Sequence, residues 1–450
     1  MLRTFNEEFL AALGGTRNQA GETAAHEQAM ALMRQIGATL FEHRLFTHPL
    51  LFDQAEFEEL GRAASALLRA QVKILAHLRA TRSDAAVLEL FGMPRRLLPF
   101  MRWENLERPG ETVARLDIIP TRTGYAFCEL NVIPAVGGGE AHRCGELYFQ
   151  TLGYPEAEVL AHLPPGPLRA LAALYTAQVR SRDLARVVIL DSMGHGQLGY
   201  PRQELLQRYL REANPGLTVE LLDEERYPTG WLTRAEGERT LVHRMFTYEE
   251  VTDDFVFLEK LWQSGAVIAG FESDLRMSKR FLALMCDPAY QALLHRDELA
   301  VIAKFLPHSF ALSEETLASA LRDRGDFVFK WDSSAAYGGT GVLIGAEWSA
   351  GELEHKLRAS GVDHWICQQA LEAEVLPLRT AHDPAPLDYR LVLGLYSYGG
   401  TPSGFLLRGS QSSRVVNVSS PSGRMGWAFV VSEETRRAVV RHAGAGNGTL

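Results

Sequence analysis

Four polar side chains flank a short turn; three of them could bind a metal ion together, and the fourth is an arginine. Arg115 and Asp117 precede the turn at residues 121–124, and Glu129 and Asn131 follow it. Two alternating runs around a turn that ends in glycine predict a β-hairpin. If the hairpin folds symmetrically, Asp117 lies opposite Glu129, Arg115 lies opposite Asn131, and all four side chains project from one face. The other face then carries the apolar residues Leu116, Ile118, Cys128 and Leu130.

This face suits a divalent cation. Two carboxylates directly opposite each other have Cβ atoms about 5 Å apart, and they repel unless a positive charge compensates them. Magnesium prefers carboxylate and amide oxygens and keeps water or phosphate ligands as well. The pattern therefore favours a magnesium site at Asp117, Glu129 and Asn131, where Arg115 could stabilise a transferring phosphoryl group. The alternative is a polar sheet face in which Arg115 simply neutralises Asp117.

A lysine and a run of glycines could bind phosphate groups. Lys330 ends a strand pattern and precedes Gly338, Gly339 and Gly341. Glycines let backbone N–H groups approach phosphate oxygens, and a lysine supplies charge. The spacing is not that of a P-loop. The alternative is a glycine-rich hairpin turn.

Two further segments could contact a nucleotide. Lys279 begins a helical pattern, and a cation is unfavourable at a helix start unless an anion lies nearby. Residues 365–369 read as a strand, in which Gln368 and Gln369 with an exposed backbone could recognise an adenine. The alternatives are a solvated helix face and an ordinary core strand.

Two residues are candidates for contacting substrate. His195 lies in a glycine-rich loop after the buried strand run at residues 187–190 and could line the acceptor side. Arg390 follows Asp388 on a late strand and could hold a substrate carboxylate. An ordinary loop histidine and a structural ion pair are the alternatives.

The composition limits the function classes. The chain has 450 residues, of which 46% are hydrophobic and 22% charged, as in ordinary globular proteins. The net charge of -9 comes without a basic stripe, which argues against nucleic-acid binding. Four scattered cysteines favour neither a disulfide framework nor a zinc site, and they suggest a reducing compartment. No apolar stretch is typical of a signal peptide or a membrane span, so we expect a cytoplasmic protein without membrane partners.

The elements that would position these residues form an α/β chain with α+β subdomains. The pattern changes along the chain and predicts successive regions: a helical N-terminal region (1–105), the metal-binding hairpin (106–165), a doubly wound subdomain (166–310), a nucleotide lid (311–378), returning strands of the hairpin sheet (379–435) and a tail (436–450). The most strongly periodic helix spans Phe57 to Ala80.

Taken together, these motifs resemble the circularly permuted branch of the ATP-grasp ligases, which includes glutathionylspermidine synthetase. That family has an Arg-x-Asp strand, a Glu-x-Asn strand, a Ser-Lys or Asn-Lys helix start, a flap from lysine to glycines, and a hinge strand, in the order found here. The sequence departs from the family where Lys330 is followed by Trp331 rather than proline, where Thr340 replaces a basic residue, and where Gln369 replaces a glutamate. The amidase domain of some members is missing.

The resemblance implies an ATP-grasp fold with permuted strand order and an antiparallel metal-binding sheet. It implies that Asp117, Glu129 and Asn131 bind magnesium, that Arg115 steadies the phosphoryl group, and that Lys279 and Lys330 contact ATP. The implied function is an ATP- and Mg2+-dependent carboxylate–amine ligase that forms an acyl phosphate from small-molecule substrates. The alternatives are acylation of a carrier-protein thiol, a phosphotransferase, and a catalytically inactive ATP-binding protein of the same fold.

An acyl-phosphate route has a distinctive nucleotide product. With ATP, Mg2+ and a panel of amino acids, polyamines and carrier thiols, we expect acceptor-dependent release of ADP and phosphate, because the γ-phosphoryl group is the one transferred. Chromatography of the nucleotides after turnover measures this. AMP and pyrophosphate as the main products would contradict the ligase assignment.

Overall fold

The structure is a computed structural model that describes residues 2–13, 16–35, 44–191, 201–223, 234–251, 256–332, 341–380, 385–416 and 422–445. Its α-helices are, in chain order, α1 (Leu2–Leu13), α2 (Thr16–Gln35), α3 (Gln54–Thr81), α4 (Asp84–Leu90), α5 (Ala141–Thr151), α6 (Pro167–Ser181), α7 (Pro201–Ala213), α8 (Arg234–Gly237), α9 (Val256–Gln263), α10 (Glu272–Arg276), α11 (Arg280–Cys286), α12 (Pro288–Gln291), α13 (Arg296–Phe305), α14 (Glu314–Arg322), α15 (Ala350–Ala359) and α16 (Glu433–Ala445). The strands are β1 (Leu50–Asp53), β2 (Val113–Thr121), β3 (Gly124–Asn131), β4 (Arg186–Leu190), β5 (Thr218–Leu222), β6 (Thr240–Arg244), β7 (Val267–Ile268), β8 (Ser309–Ala311), β9 (Phe327–Trp331), β10 (Val342–Ile344), β11 (Trp365–Gln369), β12 (Val375–Leu378), β13 (Leu387–Tyr398), β14 (Thr401–Ser410) and β15 (Gly423–Val431).

A seven-stranded sheet forms the centre of the molecule. Its strand order is β1-β15-β14-β13-β2-β3, and β12 pairs with the first half of β13. All of its pairings are antiparallel except the parallel pairing of β1 with β15. The strand β13 bonds to three others, so it ties the predicted hairpin to the C-terminal strands.

The predicted hairpin forms with the predicted register. Asp117 pairs with Glu129 and Arg115 pairs with Asn131 in β2 and β3. Beyond Asp117 the register shifts by one residue and leaves Cys128 as the extra residue of a β-bulge. Simple alternation placed Cys128 on the apolar face, and this was wrong: Cys128 lines the polar side of the hairpin, because the bulge interrupts the alternation.

The doubly wound region contains a four-stranded parallel sheet in the order β5-β4-β6-β7. The apolar run in β4 explains its central position, because both of its faces are buried. Val188 and Leu190 belong to one hydrophobic core, and Val187 and Ile189 belong to another. Such two-sided burial is typical of parallel sheets covered by helices.

A third sheet has the order β10-β9-β11-β8 and is packed by α14 and α15. These elements share a separate small core that includes Leu317, Phe329, Leu353 and Trp365. The predicted lid region therefore folds around its own apolar centre, and its sheet stands apart from the seven-stranded one.

Two regions differ from the sequence-based expectation. Residues 1–105 are not only helical, because they supply β1 to the edge of the seven-stranded sheet. The expected tail at 436–450 is helical as far as Ala445, and Arg436 of α16 forms an ion pair with Glu8 of α1. None of the helices in the described part of the chain combines the length and apolar character needed to span a bilayer.

The helix α3 confirms the periodic pattern and extends it slightly. The side chain of Asp53, which precedes the helix, caps it by accepting a 3.0 Å hydrogen bond from the Glu56 N–H. The predicted face is buried: Leu60, Ala64, Leu67, Leu68, Gln71, Ile74, Leu75 and Leu78. Gln71 is the one polar member of that face, so its amide must find partners inside the protein.

The edge strand β1 depends on a side chain from α1. The buried Asn6 amide donates to the Leu51 carbonyl at 3.1 Å and accepts from the Leu51 N–H at 2.9 Å, as a neighbouring strand would. Asn6→Ala should lower the free energy of unfolding by about 1–3 kcal/mol, because it leaves buried backbone groups unpaired. Urea unfolding measures this, and the surface variant Glu7→Ala is the control. An equal loss in both variants would contradict the role of Asn6.

Candidate functional site

The predicted residues meet in a cleft between the seven-stranded sheet and the lid sheet. The polar residues that line it include every predicted hairpin residue, both predicted lysines and both predicted glutamines: Arg115, Asp117, Glu129, Asn131, Lys279, Lys330, Gln368 and Gln369. Apolar walls come from Ile119, Val328, Val342, Ile344, Leu371, Val392, Val415 and Val416. The cleft thus combines a polar floor with an apolar slot, as ligand pockets commonly do.

Asp117 lies at the floor of the cleft between two arginines. Its carboxylate is 3.2 Å from Arg115 Nε and 2.6 Å from Arg408 Nη2, and its side chain is buried. Burial by itself would raise the pKa of Asp117, but the charges of Arg408 and Arg115 outweigh it and hold the pKa below its usual range. The carboxylates of the hairpin are therefore not left to repel each other. The ion-pair alternative describes Arg115 and Asp117 as they stand in this structure.

A glycine leaves the space that Arg115 needs in order to reach Asp117. Gly394 lies on β13 directly between Asp117 of β2 and Leu406 of β14. A Cβ atom at Gly394 would approach the Arg115 Cδ to 2.7 Å, so Arg115 lies across the glycine. The Arg115 guanidinium also donates to the Gly137 carbonyl at 3.1 Å, which fixes its far end.

The second carboxylate is paired with a lysine. Glu129 Oε1 lies 3.1 Å from Lys279 Nζ, and Lys279 immediately precedes α11. The anion expected near that cation is therefore present within the protein itself. Beside this pair, the Nδ2 atom of Asn131 is buried and has no hydrogen-bond partner within the described residues.

Lys330 joins the two sheets through neutral acceptors. Its buried ammonium donates to the Cys128 carbonyl at 2.6 Å and to Gln368 Oε1 at 2.7 Å. The Gln368 amide in turn donates to Ser309 Oγ at 3.1 Å. Neither of these two acceptors carries a negative charge. They therefore do not neutralise the charge of the lysine, and an anionic ligand could do so.

A buried aspartate fixes the two lysine-bearing segments to each other. Asp332 follows β9 and accepts hydrogen bonds from Ser278 Oγ at 2.7 Å, the Arg280 N–H at 3.2 Å and Arg280 Nε at 3.1 Å. These contacts hold the start of α11 against the end of β9. Lys279 and Lys330 consequently approach the cleft from adjacent, tied elements.

Most of the backbone of strand β11 is paired within its own sheet. Ile366, Cys367 and Gln368 pair with β9 on one side and with β8 on the other. The backbone of these three residues is therefore not open to an adenine, because β11 is a central strand. The expectation for Gln369, at the end of the strand, stays a prediction. The residues that follow its end, Ala370 and Leu371, line the cleft instead.

Some predicted residues lie elsewhere. Arg390 does not line the cleft; it donates to the Gln411 carbonyl at 3.1 Å near the protein surface. Gly341 accepts a 2.7 Å hydrogen bond from the Trp331 N–H and is not among the lining residues. His195, Gly338 and Gly339 fall outside the described residues.

Two cations of the cleft escaped sequence reasoning. Arg408 reads as the last residue of an ordinary strand run, and Arg414 follows it in a polar segment. Only the pairing of Val392 with Arg408 across β13 shows that Arg408 lies diagonally across from Asp117. The symmetry of a hairpin predicts which of its own residues face each other. It does not predict contacts with a strand nearly three hundred residues away in the sequence.

The charge balance of the cleft favours a polyanion. Five lining residues are cationic (Arg115, Lys279, Lys330, Arg408 and Arg414) and two are anionic (Asp117 and Glu129). The described residues contain no group of three or more His, Cys, Asp and Glu side chains suited to a metal ion. The oxygens of Asp117, Glu129 and Asn131 still fit Mg2+ in type, provided that phosphate oxygens complete the shell.

Comparison with known proteins bears on the fold. The chain matches no protein-family model and no curated protein sequence. Its structure is similar to that of a glutathione synthetase-like effector from Globodera pallida, determined in the apo form, with a TM-score of 0.57 and 14% sequence identity. The match covers 90% of this chain and 96% of that chain. The chain therefore has a mixed α/β fold like that of a glutathione synthetase-like protein.

The thiol of Cys128 should be chemically quiet at neutral pH. Burial raises its pKa to about 11, although the neighbouring charge of Lys330 opposes the shift. In a variant that lacks the other three cysteines, the rate of alkylation by iodoacetamide should rise about tenfold per pH unit from pH 7 to 9.5, because the thiolate fraction does. Mass spectrometry follows the labelling. A plateau near pH 9 would show an ordinary thiol.

Proposed function

We propose that this protein is an ATP- and Mg2+-dependent ligase of the ATP-grasp type, which joins a carboxylate to an amine through an acyl phosphate. The observation that supports this most strongly is the cleft, where five cations and two carboxylates stand beside an apolar slot. A nucleoside triphosphate has the complementary form, with a polyanionic chain attached to an apolar base. The likeness in fold to a glutathione synthetase-like protein is consistent with an ATP-grasp type of protein.

The proposed reaction proceeds in two steps. An oxygen of the substrate carboxylate first attacks the γ-phosphorus of ATP, the bond to the β–γ bridging oxygen breaks, and ADP leaves. The amine nitrogen then attacks the carbonyl carbon of the acyl phosphate, phosphate leaves, and the nitrogen loses a proton. Positioning and stabilisation of charge account for most of the catalysis in such phosphoryl transfers.

The side chains of the cleft divide the work. Lys279 and Lys330 would contact the phosphate chain, and Arg115 would stabilise the phosphoryl group as it transfers. Asp117 holds Arg115 and Arg408 in place through its two ion pairs. The arginines would thus be oriented before substrate arrives, which limits the reorganisation needed in the transition state.

Nucleotide binding would exchange ionic partners. Lys279 now pairs with Glu129, and a triphosphate offers this lysine a stronger anion. Glu129 would then be released toward Mg2+, and the amide oxygen of Asn131 would be the neighbouring ligand. Bound Mg2+ would neutralise phosphate charge, with Asp117, Glu129 and Asn131 as its protein ligands.

A second candidate is a catalytically inactive ATP-binding protein of the same fold. The observation that favours it is the complete ion pairing of the hairpin carboxylates, which resembles a stable structural network rather than an open metal site. This candidate binds nucleotide but releases no ADP with any acceptor. The alternative acceptor within the ligase class is a thiol on a carrier protein, which the panel of acceptors distinguishes from an amine.

The variant Glu129→Gln tests the proposed role of the hairpin. Turnover should fall by roughly 10²-fold or more, because the charge that holds the cation is lost. The fold should survive, because the glutamine oxygen can still accept a hydrogen bond from Lys279, whose Nζ lies 3.1 Å from Glu129 Oε1. The matched control is Glu372→Gln, which removes an exposed pair with Arg122 at 3.5 Å. Steady-state ADP release and thermal melts measure both; near-normal turnover in Glu129→Gln would reject the metal assignment.

A further inference from the structure

A second cavity lies next to the cleft, at the open end of the same hairpin. The two cavities follow each other along the chain: Arg115 and Asn131 line the first, whereas Val113, Val132 and Pro134 line the second. The parallel sheet closes the other side through the carboxyl-terminal strand β7 and part of β6. Crevices beside a parallel sheet are common ligand sites in α/β proteins.

A buried arginine lines this cavity without a carboxylate partner. Arg276 is 5% exposed, and its Nε donates to Gln71 Oε1 at 2.9 Å. The Gln71 amide donates back to the Arg276 carbonyl at 2.6 Å. No ion pair of Arg276 occurs within the described residues, and its terminal nitrogens make no hydrogen bond there. Gln71 therefore orients the guanidinium and leaves its outer edge available.

The carboxylate of Glu272 compensates this charge only in part. Glu272 also lines the cavity, but its oxygens accept from the Arg102 N–H at 2.9 Å, Asn105 Nδ2 at 2.8 Å and the Gly270 N–H at 3.1 Å. Burial lowers the pKa of Arg276 to about 10 despite the charge of Glu272, which shows how poorly the site solvates the cation. A buried cation without a paired anion is costly unless a ligand supplies one.

We propose that Arg276 binds a carboxylate group of a small-molecule substrate in this second cavity. A guanidinium held by its Nε offers its two outer nitrogens to a carboxylate in the bidentate geometry that Arg favours. The cavity supplies further polar groups for the rest of the molecule, from Asn105, Gln178 and Ser273. The substrate is therefore an acid with additional polar groups, such as an amino acid or a dicarboxylate. That this ligand is a substrate rests on the proposed ligase function.

Two other polar groups that line the cavity are paired with residues other than Arg276. Glu111 is ion-paired with Arg182, and Tyr175 Oη lies 2.6 Å from His243 Nδ1. Burial lowers the pKa of His243 to about 3, so this pair is neutral in the physiological range. Arg108 is an exposed second cation at the same cavity. None of these groups therefore forms an ion pair with Arg276.

The test uses the full chain without nucleotide. Succinate, L-glutamate and acetate are titrated by calorimetry, with succinamide as the uncharged analogue and inorganic phosphate as the competing anion. We expect the two larger carboxylates to bind the wild-type protein and succinamide not to bind. Arg276→Gln should weaken their binding at least ~10-fold, because hydrogen bonds to a charged group are lost. Arg276→Lys should recover part of the affinity, since it keeps the charge without the fork.

Stability separates a binding arginine from a structural one. Arg276→Gln should melt at or above the wild-type temperature, because it removes a buried charge that is only partly compensated. Arg69→Gln, on the same helix as Gln71 and paired with Asp297 at 3.1 Å, is the control and should bind carboxylates normally. Lack of carboxylate binding by the wild type, wild-type affinity in Arg276→Gln, or preference for phosphate would overturn the proposal.

Turnover distinguishes this inference from the proposed function. If the protein is a ligase, Arg276→Gln should raise the KM for the substrate acid at least ~10-fold and leave the KM for ATP unchanged, because the two sites are separate. If ATP binding fails but carboxylate binding depends on Arg276, the ligase function is rejected and the anion site stands. If ATP is hydrolysed with an acceptor and Arg276→Gln has no effect on any KM, the anion site is rejected and the ligase function stands.

Discussion

The buried carboxylate of Asp117 is the interaction on which the candidate site depends. It draws Arg115 from its own strand and Arg408 from the far side of β13 into one cluster, and Gly394 provides the space between them. A lone aspartate at this depth would be strongly destabilising, and two arginines at this depth without it would be worse. The cluster therefore exists only as a unit, and it fixes the relative register of three strands. Two of the cations that face the cleft, Arg115 and Arg408, take their positions from this cluster.

The part of the site that sequence reasoning could predict is the part formed by local structure. The β2–β3 hairpin is short and closed by a tight turn, so alternation alone set the pairing of Asp117 with Glu129 and of Arg115 with Asn131. The bulge at Cys128 was missed, because a bulge changes the alternation without changing residue types. The long helix α3 was predicted well for the same reason as the hairpin: its period repeats over many turns.

Long-range pairing defeated prediction elsewhere. Arg408 reaches Asp117 only because β14 adds to β13, and nothing in its neighbours signals that contact. The strand β1 spans Leu50–Asp53, too short for alternation to be read, and it is completed by a strand from the other end of the chain. The hinge strand β11 had residue types that suit a cleft. Its place inside a sheet means that the backbone of Ile366, Cys367 and Gln368 is paired on both sides. Fold likeness at 14% identity agrees with the architecture and says nothing about these contacts.

The parallel pairing of β1 with β15 constrains the order in which the sheets can form during synthesis. The first strand leaves the ribosome hundreds of residues before its partner, and the β2–β3 hairpin likewise waits for β13 to cover its open edge. Domains fold as units during synthesis, and an uncovered strand edge is a site of aggregation. The parallel sheet and the lid sheet are each built from consecutive segments, so they can form while the chain is still growing. The seven-stranded sheet, which carries the candidate site, is consequently completed last, when β15 joins β14 and β1.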